Sequence, residues 1–154
     1  MKIQANYIYA FTITFLSMIF DQLSKSIIVN KLDTLPFENP IFKGFNIVYV
    51  ENKGVSFGML SDYDIPFFLG IVSLLVSIYI LFLIIKAENR SELIGLSMIL
   101  GGALGNGLDR LKDGYVVDFI DLYYGKFHWP AFNFADSFIS IGAILFFYNV
   151  LRYK

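Results

Sequence analysis

The chain of 154 residues has no cysteine and one histidine, His128. Without thiols there are no disulfides, no thiol nucleophile and no cysteine-ligated zinc. One histidine also excludes a multi-histidine metal centre within the chain. Charge is scarce: Asp, Glu, Lys and Arg make up 16% of residues and nearly cancel, for a formal net charge of −1. A nucleic-acid binder normally carries a basic patch, so that class is set aside. Chemistry is left to carboxylates, amides, hydroxyls, Lys and Arg. What abounds is apolar. Hydrophobic residues reach 56% and mean hydropathy is +0.62, leaving too little polar surface to cover a water-soluble globule.

The segment from Ile65 to Ile85 carries no charge and lies between Asp64 and Lys86. About 20 apolar residues rising ~1.5 Å each cross a hydrocarbon core of ~30 Å, so this segment predicts a transmembrane helix. Three further apolar segments are punctuated. Tyr7 to Phe20 meets Asp21 and Lys25 before Ile27-Ile28-Val29, and Leu93 to Leu108 is apolar until Asn106, then meets Asp109 and Arg110. Phe132 to Leu151 carries Asn133 and Asp136 in its first turns. The expected fold is mainly α and integral to the membrane, a single domain over 1–154. Its four transmembrane helices are expected near 7–29, 65–86, 93–109 and 132–151, with outward loops at 31–64 and 110–131.

Lys2 and the apolar stretch after it resemble the start of a signal peptide. The sequence Asp21-Gln22-Leu23-Ser24-Lys25 offers no small-x-small cleavage site, so the segment is read as a retained helix. Basic residues set the orientation. Lys86 and Arg90 crowd one short turn, Lys2 precedes the first helix, and Arg152 and Lys154 follow the last, which assigns both termini and that turn to the cytoplasm. A small β-containing region is expected outside the bundle. Phe45 to Val50 is β-branched and aromatic and precedes an Asn-Lys-Gly turn signal. Tyr115 to Leu122 reads as a second short strand interrupted by Asp118 and Asp121. Asp33 to Gly44, with Pro36 and Pro40, reads as an irregular connector and a mobile cover.

Ionisable groups within lipid are costly and usually face a bundle interior or a water-filled cavity. Asp21 and Lys25 stand i,i+4 on one helical face, either as a neutralising pair near an interface or as part of a site. Asn106 and Arg110 repeat that spacing, just after Gly101 and Gly105, whose Gly-x-x-x-Gly allows close helix contact. Arg110 keeps its charge and calls for a carboxylate partner. Asn133 and Asp136 are i,i+3, with Ser137 and Ser140 extending their face. Asp118 lies between Val116-Val117 and Phe119-Ile120, which predicts partial desolvation. If Asp118 and Asp136 converge, each raises the cost of ionising the other and one proton is held between them. That is what an aspartic hydrolase requires. Asp109, Asp113 and Asp121 sit in polar or turn-like contexts and read as solvated, capping or salt-bridged, and Asp109 should matter less than the pair.

A small transporter or proton relay is the alternative. It should distribute ionisable residues at successive depths, whereas here the polar groups gather at the outward ends of helices one, three and four. A lipid-phosphate hydrolase would need several histidines, and an alcohol phosphotransferase a dense aspartate metal cluster.

Five ordered blocks span nearly the whole chain: Asp21-Gln22-Leu23-Ser24-Lys25, Asn52-Lys53-Gly54-Val55-Ser56-Phe57-Gly58, Gly105-Asn106-Gly107-Leu108-Asp109-Arg110-Leu111, Val116-Val117-Asp118-Phe119 and Phe132-Asn133-Phe134-Ala135-Asp136-Ser137. Together they resemble the bacterial lipoprotein signal peptidase family, also called signal peptidase II. The family's second block usually has two alanines where Val55 and Ser56 stand. The resemblance implies an aspartic endopeptidase of the cytoplasmic membrane that cuts prolipoproteins immediately before a diacylglyceryl-modified cysteine, near the outer face. By motif matching, Asp118 and Asp136 would be the catalytic dyad. Asn52, Gly54, Asn106, Arg110, Asn133 and Ala135 would line or brace the site, with Asp21 and Lys25 as polar support. It implies no metal or other cofactor. The partners it implies are lipidated precursors and membrane lipid, with no nucleic acid and no obligate protein partner.

Overall fold

The computed structural model describes residues 2–31, 39–54 and 65–152. Four helices, α1 (Lys2–Asn30), α2 (Pro66–Lys86), α3 (Arg90–Lys112) and α4 (Phe134–Arg152), are joined by four strands, β1 (Asn39–Phe42), β2 (Phe45–Asn52), β3 (Val116–Tyr124) and β4 (Phe127–His128). The expected positions of Val55, Ser56, Pro36 and the mobile cover around it lie outside the described residues.

Helix α3 packs against each of the other three helices because its sequence is rich in small residues. A Cβ at Gly101 would come within 2.7 Å of Thr14 O in α1, and one at Gly95 within 2.6 Å of Gly142 O in α4. One at Gly107 would lie 3.0 Å from Ser73 Oγ in α2. Bare glycines therefore let three backbones approach a single helix. Asn89 starts α3 by accepting from Glu92 N at 2.9 Å. Gly114, at φ +79°, ends it in the left-handed conformation and turns the chain into β3. Helix α3 thus runs on through Arg110 to Lys112, where an outward loop from residue 110 was expected.

The outside of the bundle is apolar. Ile8, Phe11, Leu75, Ile78 and Ile144 are exposed, whereas Asp21, Lys25, Asn106, Asp109 and Asn133 are buried. Water would demand the reverse, and lipid suits this arrangement. By length and apolarity, Tyr7–Asn30 and Pro66–Lys86 are able to cross a membrane, with mean hydropathies of 1.3 and 2.9. The apolar stretch of α4, Phe134–Tyr148, is shorter. Helix α3 owes its lower hydropathy to the polar groups and glycines that it turns inward.

The strands form one antiparallel sheet in the order β1-β2-β3-β4. The connector expected to be irregular ends in a strand, β1, whose Pro40 is tolerated because β1 is an edge. Strand β3 is continuous through both of its aspartates, against the expected interruption. Each acid finds partners without leaving the ladder. Asp121 lies opposite Asn46 in the register and accepts from its Nδ2 at 2.8 Å, and His128 Nδ1 lies 2.9 Å away. Asp118 pairs across from Val50, so Asn52, two residues further along β2, shares its face. Where β3 meets α1, Ile28, Val117, Phe119 and Ile120 form one apolar cluster. Ala10, Ile80, Ile84, Leu93, Leu96 and Leu100 form another within the bundle.

Candidate active site

Two polar layers meet where α1, α3, β3 and the start of α4 converge. The first is built around Lys25. Its ammonium donates to Asp21 Oδ2 at 2.7 Å, Asn106 Oδ1 at 2.8 Å and Asp109 Oδ2 at 2.6 Å, which uses all three of its hydrogens. Asp21 also accepts from Ala135 N at 2.8 Å, tying α1 to the first turn of α4. Gln22 Nε2 donates to Asp109 Oδ1 at 2.7 Å. Gly105 makes room for this cluster, since a Cβ there would fall 2.8 Å from Asp21 Oδ2. The pair Asp21–Lys25 therefore sits in the protein interior, behind the residues that line the cavity.

The second layer holds Asp118 and Asp136. The chain leaving β4 pairs back on β3, with Phe132 N donating to Ile120 O at 3.1 Å and Phe132 O accepting from Ile120 N at 2.8 Å. That bridge delivers Asn133 beside Asp118 just as α4 begins. Asn133 caps the helix: its Oδ1 accepts from Asp136 N at 2.9 Å, while Asp136 Oδ2 accepts from Asn133 N at 3.3 Å. The same Asn133 donates through Nδ2 to Asp118 Oδ1 at 2.7 Å. Asn52 Nδ2 reaches Asp118 Oδ2 at 2.8 Å and Asn106 Nδ2 reaches Asp136 Oδ1 at 2.8 Å. Every carboxylate oxygen of the two acids therefore accepts from an amide, and one residue, Asn133, touches both.

Asp118 is only 2% exposed. Burial pushes its carboxyl up to about 6, and the negative charge of Asp136 adds to this, while the amides of Asn52 and Asn133 pull the other way. The desolvation expected from its apolar neighbours is thus present.

Both acids line a cavity of about 680 Å³ between α2, α3, β3 and α4, together with Asn52, Asn106 and Arg110. Its other walls are mostly apolar, with Leu69, Val72 and Val76 on α2, Ile139 and Ile141 on α4, and Trp129 at the approach to α4, interrupted by Ser73, Ser137 and Ser140. Asp21, Lys25, Gly54, Asn133 and Ala135 stand behind this surface. Arg110 differs from expectation. It forms no ion pair among the described residues; Nη2 donates to Gly54 O at 2.7 Å and Nη1 to Asn106 O at 3.2 Å. Gly54 N in turn donates to Asn52 Oδ1 at 3.0 Å, so Arg110 braces the turn that carries Asn52. Asp109 and Asp121, read as solvated, capping or salt-bridged, are both buried, and Asp109 is salt-bridged to Lys25. Gln22 was missed outright. A signal for Asp109 existed, because Gly101, Gly105 and Asp109 follow at i, i+4 and i+8 on the face that meets α1. No group of three His, Asp or Glu placed to hold a metal ion occurs among the described residues.

The arrangement sets two acids, each held by amide donors, at one concave and largely apolar approach, the groups that an aspartic hydrolase requires. Comparison with known proteins points the same way. The family model described as Signal peptidase (SPase) II matches residues 13–152. A lipoprotein signal peptidase of Geobacter metallireducens is 38% identical over 96% of this chain and 93% of its own length. One of Thermodesulfovibrio yellowstonii is 42% identical over 90% and 91%. A solved bacterial membrane enzyme superposes with a TM-score of 0.83 at 32% identity, covering 94% of this chain and 88% of that one. A second gives 0.78 at 33% identity, covering 95% and 94%. The chain belongs to the signal peptidase II family of membrane aspartic proteases, the enzymes that remove signal peptides from lipoprotein precursors.

Proposed function

We propose that Asp118 and Asp136 are the catalytic dyad and that the substrate is a prolipoprotein carrying diacylglycerol on the cysteine that follows the scissile bond. The observation that carries this reading is the shared cavity in which one residue, Asn133, bonds both acids. Asp118, whose protonated form is favoured by burial, donates a hydrogen bond to the scissile carbonyl oxygen. Asp136, at the N-terminus of α4 where the helix dipole favours negative charge, takes a proton from water as that water adds to the carbonyl carbon. Asp118 passes its proton to the developing oxyanion, giving a neutral gem-diol. Collapse returns a hydroxyl proton to Asp118, transfers the proton of Asp136 to the leaving nitrogen and breaks the C–N bond. The apolar wall of α2 and α4 suits a signal-peptide segment arriving from lipid.

The topology that serves this reading has all four helices spanning the cytoplasmic membrane as one domain. Both termini are cytoplasmic and the cavity opens toward the outer face. Lys86 at the end of α2 and Arg90 at the start of α3 support it. Because the chain lacks cysteine, single cysteines report on it directly. Lys126→Cys should react with an impermeant thiol reagent in intact cells, and Glu88→Cys only after permeabilisation.

The decisive experiment incubates purified protein with a diacylglyceryl-modified precursor beside the same precursor unlipidated. Cleavage of the lipidated form alone is the expected result. Equal cleavage of both would remove the lipid from the recognition, and cleavage of neither would remove the peptidase reading.

A further inference from the structure

We infer that Lys25 is a positioning residue for Asp136, acting through the side-chain amide of Asn106. The inference rests on the dyad reading above and adds a residue that touches neither acid. Asn106 is an amide with an oxygen and a nitrogen at opposite corners, and only one of its two orientations can donate to Asp136. Lys25 selects that orientation. An ammonium offers donors and no acceptor, so the group 2.8 Å from Nζ must be the amide oxygen. The Nδ2 atom is thereby turned to Asp136 Oδ1 at 2.8 Å. Asn133 Nδ2, at 3.2 Å from the same oxygen, reinforces the choice.

The parallel with Asn133 shows what Lys25 contributes. Asn133 is oriented by a backbone group, the N–H of Asp136, and so turns its own Nδ2 to Asp118. Asn106 lies inside α3, where no backbone N–H is spare, and a buried cation performs the same task. The charge on Lys25 is held in place by Asp21 and Asp109, which makes the ion cluster a support for one bond at the cavity wall. Attraction of the ammonium for the amide oxygen also polarises the amide, strengthening its donation to Asp136.

The test separates this role from simple stabilisation by neutralising the whole cluster. Buried ion groups replaced together by neutral ones often keep a fold that single removals destroy. The variant Asp21→Asn/Lys25→Met/Asp109→Asn retains side chains of similar size but offers no ammonium to Asn106. We expect it to keep a sharp thermal transition in detergent and a KM within about threefold of the parent, with kcat lower by about 100-fold, the size of a misplaced general base. A kcat close to the parent would overturn the inference. If the triple variant does not fold, Asn106→Asp carries the test. It still accepts from Lys25 but has no donor for Asp136, and it should show the same loss in kcat with KM retained; full kcat would overturn the inference. Asp136→Asn measured alongside keeps the two claims apart. An active Asp136→Asn sinks the dyad, whereas an inactive one beside a fully active triple variant sinks only the role of Lys25.

Discussion

Two pairs of aspartates, all buried except the half-buried Asp136, lie next to each other in this molecule, and they are treated oppositely. Asp21 and Asp109 share an ammonium at 2.7 and 2.6 Å. Asp118 and Asp136 receive amide donors only and open onto a cavity. A carboxylate locked to a cation inside a protein has its charge compensated and its lone pairs spent, so it holds helices together. A carboxylate held by amides in a cavity keeps its position while its proton stays negotiable. Asn106 joins the two pairs, with its oxygen on Lys25 and its nitrogen on Asp136.

The sharpest way to break this contrast is to remove one carboxylate from each pair. Asp118→Asn and Asp136→Asn should each lower cleavage of a lipidated precursor by at least about 10³-fold, since general acid–base and nucleophile-activating roles are lost together. Thermal melting in detergent should show both variants folded. Turnover near that of the parent in either one would strip that residue of its role. Asp109→Asn should do the reverse. Leaving Lys25 with one carboxylate instead of two should cost roughly 3 kcal/mol of stability, while turnover per folded molecule falls by less than about tenfold. A dyad-sized loss of turnover with unchanged melting would mean that the pairs have been assigned the wrong way round.

A milder perturbation acts on the cluster without removing charge. Gly105→Ala places a methyl 2.8 Å from Asp21 Oδ2, and Asp21 is held by Lys25 and by Ala135 N. Displacing it should cost on the order of 1–2 kcal/mol, as overpacking does. The expected signature is a lower melting point with KM unchanged. A melting point equal to the parent's would show that the helices have slack at this contact.

How much of this was legible in the sequence follows from the range of each interaction. The four apolar segments are local patterns, and so are the i,i+4 pair Asp21–Lys25 and the i,i+3 pair Asn133–Asp136, so all could be read from neighbouring residues. The amides were legible as polar groups in apolar surroundings. What each one bonds was not, because Asn133 meets Asp118 only through the Phe132–Ile120 bridge, a pairing that no periodicity encodes. The salt bridge of Asp109 was among the readings the sequence allowed, but its burial was not legible, for a related reason. The chain around it looks like a polar helix end, and its burial comes from α1 packing on Gly101 and Gly105. Arg110 misled through a sound rule, since a buried guanidinium usually finds a carboxylate. Here backbone carbonyls of Gly54 and Asn106 receive it, and those become adjacent only when β2 docks on the bundle.

The finest adjustment of the contrast lies at Asn52, which touches Asp118 from outside the helices. Its Nδ2 bond at 2.8 Å favours the charged carboxylate. Asn52→Ala removes that bond, so the Asp118 carboxyl should rise further above about 6. If Asp118 must hold its proton for catalysis, kcat/KM falls as pH increases through that value, and in Asn52→Ala the fall should come roughly half a unit higher. Stability moves with it. A carboxyl raised above its unfolded value of 3.8 contributes fully below that value, and the contribution is lost as pH rises through the folded value. Asn52→Ala should therefore lose stability relative to the parent chiefly above pH 6. Asp118→Asn, which has no charge to bury, should show no such decline in its melting profile. An acid limb that moves upward in Asn52→Ala while the alkaline limb stays in place would mean that Asp118 works in its ionised form, and the roles of the two acids would have to be exchanged.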